Sequence, residues 1–378
     1  MPAIEVEIIP KVVLLLQKDI ILNDVLSLTE LDKCPACYGI SLCEDFQSGR
    51  VELLGRHKFR IFTNFNLKNV YWGKLNNATI VLKKLAHDSE LKYFDQILCE
   101  EAKKYEYNSK KCYPSSAARI LTSHVRIDDL STLKNFDKTD LLRCSSSLVL
   151  GRLRDKFQEN SDVYFFTLLL LNPEPIILQT FTSENGWPFP RYLGACGRVI
   201  AEEYVGPSLS SFQNAPLQMR MNLALQVTHI AQSLTNTSVG LHLYMTDVSF
   251  HNFAVTTNGR VILVDTENII IVDHEAITNN DFYQSDYDGN HLTFSVYDLC
   301  SHKIADHNFY VVCQGLLADT PWFDEVKGGL LHDLPNWIDE RWQLRNLIAE
   351  CVNPSVKYGR FTVFLSLQAA LQNALSDF

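Results

Sequence analysis

The chain has 378 residues, 46% of them apolar and 11% aromatic, and a net charge of −10. That is the composition of a folded globule, long enough for one large or two ordinary domains. The acidic balance, with no Lys/Arg run longer than two, excludes a nucleic-acid partner, which needs a concentrated basic face.

Residues 1–33 read as a leader or N-terminal segment without chemistry of its own. The apolar run at 12–16 is short, and Glu5 and Glu7 stand where a signal peptide needs positive charge, so no signal peptide is evident. No run of about 18 apolar residues exists, so no transmembrane segment is expected. A cysteine-rich knot follows at Cys34, Cys37 and Cys43. With Cys99, Cys112, Cys144, Cys196, Cys300, Cys313 and Cys351 it makes an even set of ten, enough for five bridges in an oxidising compartment. Zinc at the opening C-x2-C-x5-C would need a fourth ligand that no nearby residue offers, which favours disulfides. Two sequons, at Asn77 and Asn236, tilt the same way as the cysteines.

Short strands are expected at 51–54, 58–62 and 69–74, and a better one at 79–85, rich in β-branched residues. A helix over 88–105 starts at Asp88 as N-cap, with Leu91, Phe94, Leu98 and Ala102 at helical spacing. Residues 106–190 are irregular, with a helix near 139–158 and a strongly apolar stretch at 163–171. Strands at 191–193 and 198–204 end at Gly206-Pro207. A long helix covers 216–234. Little order is expected over 273–295, and helices return at 306–317, 337–351 and 361–376. Strands first and helices later describe an α+β protein with two lobes.

Asp247 and Asn252 sit five apart on a loop, and Asp265 lies eighteen beyond Asp247, after the apolar run Val261-Ile262-Leu263-Val264. Asn258-Gly259 is a hairpin turn between them. Phosphotransfer needs such a set: Asp247 to take the proton of the attacking hydroxyl, Asn252 and Asp265 to hold the divalent ions on the phosphates. A lone Asp on a loop is more often a turn former; three residues at two correct intervals reverse that reading. Lys83, at the end of Ile80-Val81-Leu82-Lys83, has the form of a strand lysine that meets nucleotide phosphates. Lys84 points to the opposite strand face, so only one of the two can serve. An ion-pair glutamate for Lys83 is expected on the next helix, Glu90 or, alternatively, Glu101. Asp306 is expected to open a helix and hold the catalytic loop in shape. Backbone groups of Glu203 and Val205, in the stretch Glu202-Glu203-Tyr204-Val205-Gly206, are expected to meet an adenine edge.

On these residues, and on Cys34-Pro35-Ala36-Cys37-Tyr38-Gly39 with Cys43, the chain resembles the divergent protein-kinase-like proteins of the secretory pathway, deleted-in-autism type (divergent protein kinase domain 2). The similarity spans about residues 33–378. The resemblance implies a two-lobed protein-kinase-like fold with a disulfide-rich N-terminal extension. The extension and an N-lobe with an insertion would occupy 34–204, and a helical C-lobe 205–378. It implies ATP with Mg2+ or Mn2+, and residence in the endoplasmic reticulum or Golgi, or secretion. The activity implied is that of an atypical kinase acting on a protein or glycan hydroxyl; the alternative is a pseudokinase serving as ligand or scaffold.

The chain departs from a conventional kinase at several points. Residues 60–73 offer only Gly73 where a glycine-rich loop is usual. His-Arg-Asp is replaced by Met245-Thr246-Asp247, which removes the arginine that would read a phosphorylated activation loop. Asp-Phe-Gly becomes Asp265-Thr266-Glu267, which restricts the backbone there.

Overall fold

The computed structural model describes residues 25–54, 69–126, 144, 147–158, 161–237, 239–278, 281–287, 292–319 and 328–378. The strand expected at 58–62 lies outside them. Two compact units divide the chain. The first takes in the described parts of Met1–Thr139, Leu153–Asn185 and Pro190–Tyr204; the second those of Asp140–Arg152, Gly186–Phe189 and Val205–Phe378.

In the first unit, five strands form one antiparallel sheet: β1 Val51–Leu53, β2 Asn69–Leu75, β3 Ala78–Lys84, β4 Tyr192–Cys196 and β5 Val199–Glu203, in the order β1-β2-β3-β5-β4. The β2–β3 turn places Asn76 and Asn77 at φ of 50° and 69°, a left-handed conformation that asparagine tolerates. Alternation along β3 and β5 splits the side chains cleanly. Ile80, Leu82, Val199 and Ala201 pack on one face against Val25, Leu42 and Phe46, which precede the sheet in the chain. Val81, Lys83, Ile200 and Glu202 belong to the other face.

The extension is pinned to the sheet by charge as well as by apolar packing. Arg198, fully buried between β4 and β5, donates to the Ala36 carbonyl and pairs with Glu30 and Asp95. Cys43–Cys196 adds a covalent tie across 153 residues. Beside the sheet, the helices Asp88–Ala102, Pro114–His124 and Asp162–Leu171 share a core through Phe94, Leu98, Leu121, Phe166 and Leu170. The apolar stretch at 163–171 is thus a buried helix. The N-cap of Asp88–Ala102 is His87, not Asp88 as the spacing suggested, and Glu90 reaches back to the His87 amide at 2.6 Å.

In the second unit, the helix Leu217–Thr235 buries Met221, Leu225, Thr228 and Ala231. β6 Leu241–Met245 pairs antiparallel with β9 Ile269–Asp273, and β7 Phe253–Val255 with β8 Val261–Leu263 across the Asn258-Gly259 turn. The expected helix at 306–317 is α-helical over His307–Val312 and continues as a π turn to Leu317. The helix expected at 337–351 is two, Asn336–Trp342 and Leu344–Val352, because Gln343 turns left-handed at φ 54°. Arg360–Leu375 closes the described chain as a third.

All ten cysteines pair: Cys34–Cys37, Cys43–Cys196, Cys99–Cys112, Cys144–Cys300 and Cys313–Cys351. Five bridges are the pattern of an oxidising, secretory-type environment. Among the described residues no helix is long and apolar enough to cross a membrane.

Candidate active site

The second unit builds its site from strand ends. β6 ends at Met245, two residues before Asp247, and β8 ends at Leu263, two before Asp265. The register Met245↔Ile269 brings the segments after both strands together. Thr246 Oγ1 donates to the Asn268 carbonyl at 2.7 Å, and Val264 N to the Asn252 carbonyl at 2.8 Å. A small pocket results, lined by Met245, Thr246, Asp247, Leu263, Asp265, Asn268 and Ile269. Asp247 and Asp265, distant in sequence, therefore face one cavity. Asn252 Nδ2 donates to the Asp247 carbonyl at 3.1 Å, which turns the amide oxygen into its remaining ligand atom. This donor set is all hard oxygen, the kind that suits Mg2+ or Mn2+ and not a thiolate-seeking metal.

The loop before Asp247 is gripped from beneath. Asn308, fully buried, accepts from Met245 N at 2.9 Å and donates to the Leu243 carbonyl at 2.7 Å and to Thr235 Oγ1 at 2.9 Å. His307 Nε2 donates to the Met245 carbonyl at 3.0 Å, and its Nδ1 faces Ser285 Oγ at 3.1 Å. Burial, helped by the Arg360 charge, pulls His307 down to about 4, so the ring is neutral and its Nε2 proton is fixed by the carbonyl. The two residues after Asp306 thus hold the Met245 backbone directly. The Asp306 carboxylate accepts from Ser285 N at 2.8 Å and pairs with Arg360.

In the first unit, Lys83 and Lys84 leave opposite faces of β3, and carboxylates meet both. Lys84 Nζ pairs with Glu30 at 2.6 Å and Asp88 at 2.8 Å. Lys83 Nζ pairs with Glu174 at 2.9 Å and Glu202 at 3.0 Å, whose side chains are 1% and 2% exposed. Neither glutamate was expected. Glu90 acts as a helix cap, and Glu101 is buried and accepts from Lys104 at 2.6 Å. Glu174 opens the short helix Glu174–Thr180, 91 residues beyond Lys83, because the helices over 88–171 intervene. A lone acid inside the apolar run Pro173-Glu174-Pro175-Ile176-Ile177-Leu178 was its signal, since such a charge needs a buried partner. For Glu202 the signal was strand alternation, which puts it on the Lys83 face.

Of the residues expected at the adenine edge, Glu203 spends its amide on the Arg191 carbonyl at 2.9 Å, and its side chain is exposed beside Arg191. That amide is therefore already engaged within the first unit. Val205 is half-buried and is the first residue of the second unit's last segment. Gly206 follows at φ 153°, where a Cβ would lie 2.0 Å from the Val255 carbonyl oxygen, so only glycine fits. The sequon residues Asn77 and Asn236 are both exposed.

Comparison with known proteins agrees with this architecture. The family described as "Protein-kinase domain of FAM69" matches residues 165–354. Divergent protein kinase domain 2A of Xenopus tropicalis is 38% identical, over 88% of this chain and 84% of that protein. The human protein of the same name is 37% identical, over 90% and 86%. The chain belongs to the divergent protein kinase domain 2 family. Human divergent protein kinase domain 2B is similar at a greater distance, 25% identical over 76% of this chain and 72% of that protein. Membership gives the chain an α+β, protein-kinase-like fold, with a disulfide-rich extension ahead of the kinase-like sheet.

Proposed function

We propose that this family member is an atypical, ATP-dependent kinase of the secretory pathway that phosphorylates a hydroxyl on a protein or a glycan. The observation that carries the reading is the convergence of Asp247 and Asp265 on one pocket, with Asn252 bound to the Asp247 backbone. Lys83, held by Glu174 on a rigid strand, is the group to meet the nucleotide phosphates. Asp247, exposed on its loop, orients the acceptor hydroxyl and takes its proton. Asn252 and Asp265 would hold Mg2+ or Mn2+. That ion, when bound, supplies charge neutralisation across the β- and γ-phosphates. The buried, neutral His307 and Asn308 keep the Asp247 loop in register, so little reorganisation is needed when the substrate arrives.

The five disulfides and the exposed sequons support a Golgi or secreted location and glycosylation at Asn77 and Asn236. A second reading, a pseudokinase acting as ligand or scaffold, draws on the carboxylate pair that engages Lys83 and on Thr266, fully buried in place of the usual phenylalanine. The test is metal-dependent ATP binding and phosphate transfer by protein from a secretory host. The wild type is expected to bind and turn over ATP, and Asp265→Ala to lose both. Absence of metal-dependent binding in the wild type would end the kinase reading. Binding without turnover across broad acceptor panels would favour the scaffold.

A further inference from the structure

Lys83 differs from a simple strand lysine waiting for phosphate, because two carboxylates hold its ammonium. Glu174 and Glu202 stand at 2.9 and 3.0 Å, and all three side chains are at most 11% exposed. The two acids are held differently. Glu174 stands between Pro173 and Pro175 at the start of a short helix, and its amide donates to Asn172 Oδ1 at 3.0 Å. Glu202 lies inside β5, paired with Val81 of β3 on one side and Tyr192 of β4 on the other. Its backbone is fixed by ladders on both edges, which anchors the carboxylate beside Lys83. Any phosphate oxygen that reaches the same nitrogen must approach a buried negative charge, and like charges at such range in a low-dielectric site repel strongly.

We infer that Glu202 is a specificity-determining residue that competes with phosphate for Lys83, so that the site admits a nucleoside triphosphate only together with a divalent cation. The inference rests on the kinase reading of Lys83 and goes beyond it, because a lysine with one carboxylate partner would also take the metal-free nucleotide. Glu202 thereby acts as a charge filter. Free ATP and other polyanions are refused, and the cation-bound nucleotide is accepted because the cation cancels part of the phosphate charge before it meets Glu202.

The experiment is calorimetric titration of the full chain with ATP, in EDTA and in excess Mg2+. Glu202→Gln keeps an acceptor for Lys83 and removes the charge; Glu202→Met removes both at similar volume. Either variant is expected to bind metal-free ATP at least tenfold more tightly than the wild type, and to narrow the ratio between the two conditions by the same factor. Folded variants whose metal-free affinity is unchanged or weaker, beside a wild type that binds Mg–ATP, would overturn the role of Glu202 and leave the kinase reading standing. ATP binding by none of the three proteins under either condition would overturn the kinase reading itself. A measurement on the wild type alone guards against poor folding of the variants. Tripolyphosphate without metal should bind at least tenfold more weakly than its Mg2+ complex, and equal affinities refute the filter.

Discussion

Removing the Asn308 side chain tests whether the Asp247 loop is held from below. Asn308→Ala deletes three hydrogen bonds and strands Met245 N and the Leu243 carbonyl in a fully buried place. Each stranded backbone group costs about 1–3 kcal/mol, so the second unit should lose about 2–6 kcal/mol. For a unit of this size that is a fall in Tm of roughly 5–20 °C. Differential scanning calorimetry reads it, and a Tm within about 2 °C of the wild type would refute the grip.

Asn308→Asp separates geometry from volume. It keeps the acceptor for Met245 N but sets a carboxylate oxygen against the Leu243 carbonyl, where Nδ2 donated. Protonation restores a donor there, so burial and the facing carbonyl raise the new acid's folded pKa above its unfolded value of about 3.9. A raised acid binds protons more tightly in the folded state, so its penalty shrinks as pH falls. The Tm gap between Asn308→Asp and the wild type should therefore narrow from pH 7.5 to pH 5. A constant gap would mean that the facing carbonyl is not the cause.

Wild-type stability should also fall on acidification. Burial lowers both His242 and His307 to about 4, so between about 6.5 and 4 the unfolded chain binds protons that the folded chain refuses. Chemical denaturation at pH 7.5 and 5 reads this, and a flat profile would contradict the neutral, buried rings. Glu174→Ala should cost about 1.5–3 kcal/mol, because one charge-assisted contact is lost while Glu202 still pairs with Lys83. Glu90→Ala should cost only about 1 kcal/mol as a lost cap partner. The reverse order in thermal melts would restore Glu90 as the partner of Lys83. Replacing Cys43 and Cys196 together by serine removes the tie between extension and sheet, at about 2–5 kcal/mol. The yield of folded protein from a secretory host should drop, and an unchanged yield and Tm would show that the Arg198 cluster and the apolar packing hold the extension without the bridge.

Local pattern made several parts legible. The β3 alternation separated Lys83 from Lys84, and the structure meets each with its own carboxylates. The Asn258-Gly259 turn announced the β7–β8 hairpin, and the even cysteine count announced a fully bridged chain. What local pattern missed lies across long separations. Glu174 is out of range of any rule that searches the next helix, because the inserted helices carry the chain away before returning it. His307 and Asn308, which take the backbone of Met245, carried no local signal of that role, because their partners lie more than sixty residues away.

Sequence by itself supplied the residue types: a lysine at the end of a strand, two aspartates and an asparagine at fixed intervals, and an even count of cysteines. These follow from residue type and short spacing, which no packing can alter. Tertiary structure alone decided the partners, because burial removes water as the alternative hydrogen-bonding partner and forces each buried polar group onto whatever distant residue the fold brings near. Lys83 therefore answers to Glu174 and Glu202, and the Asp247 loop to His307 and Asn308.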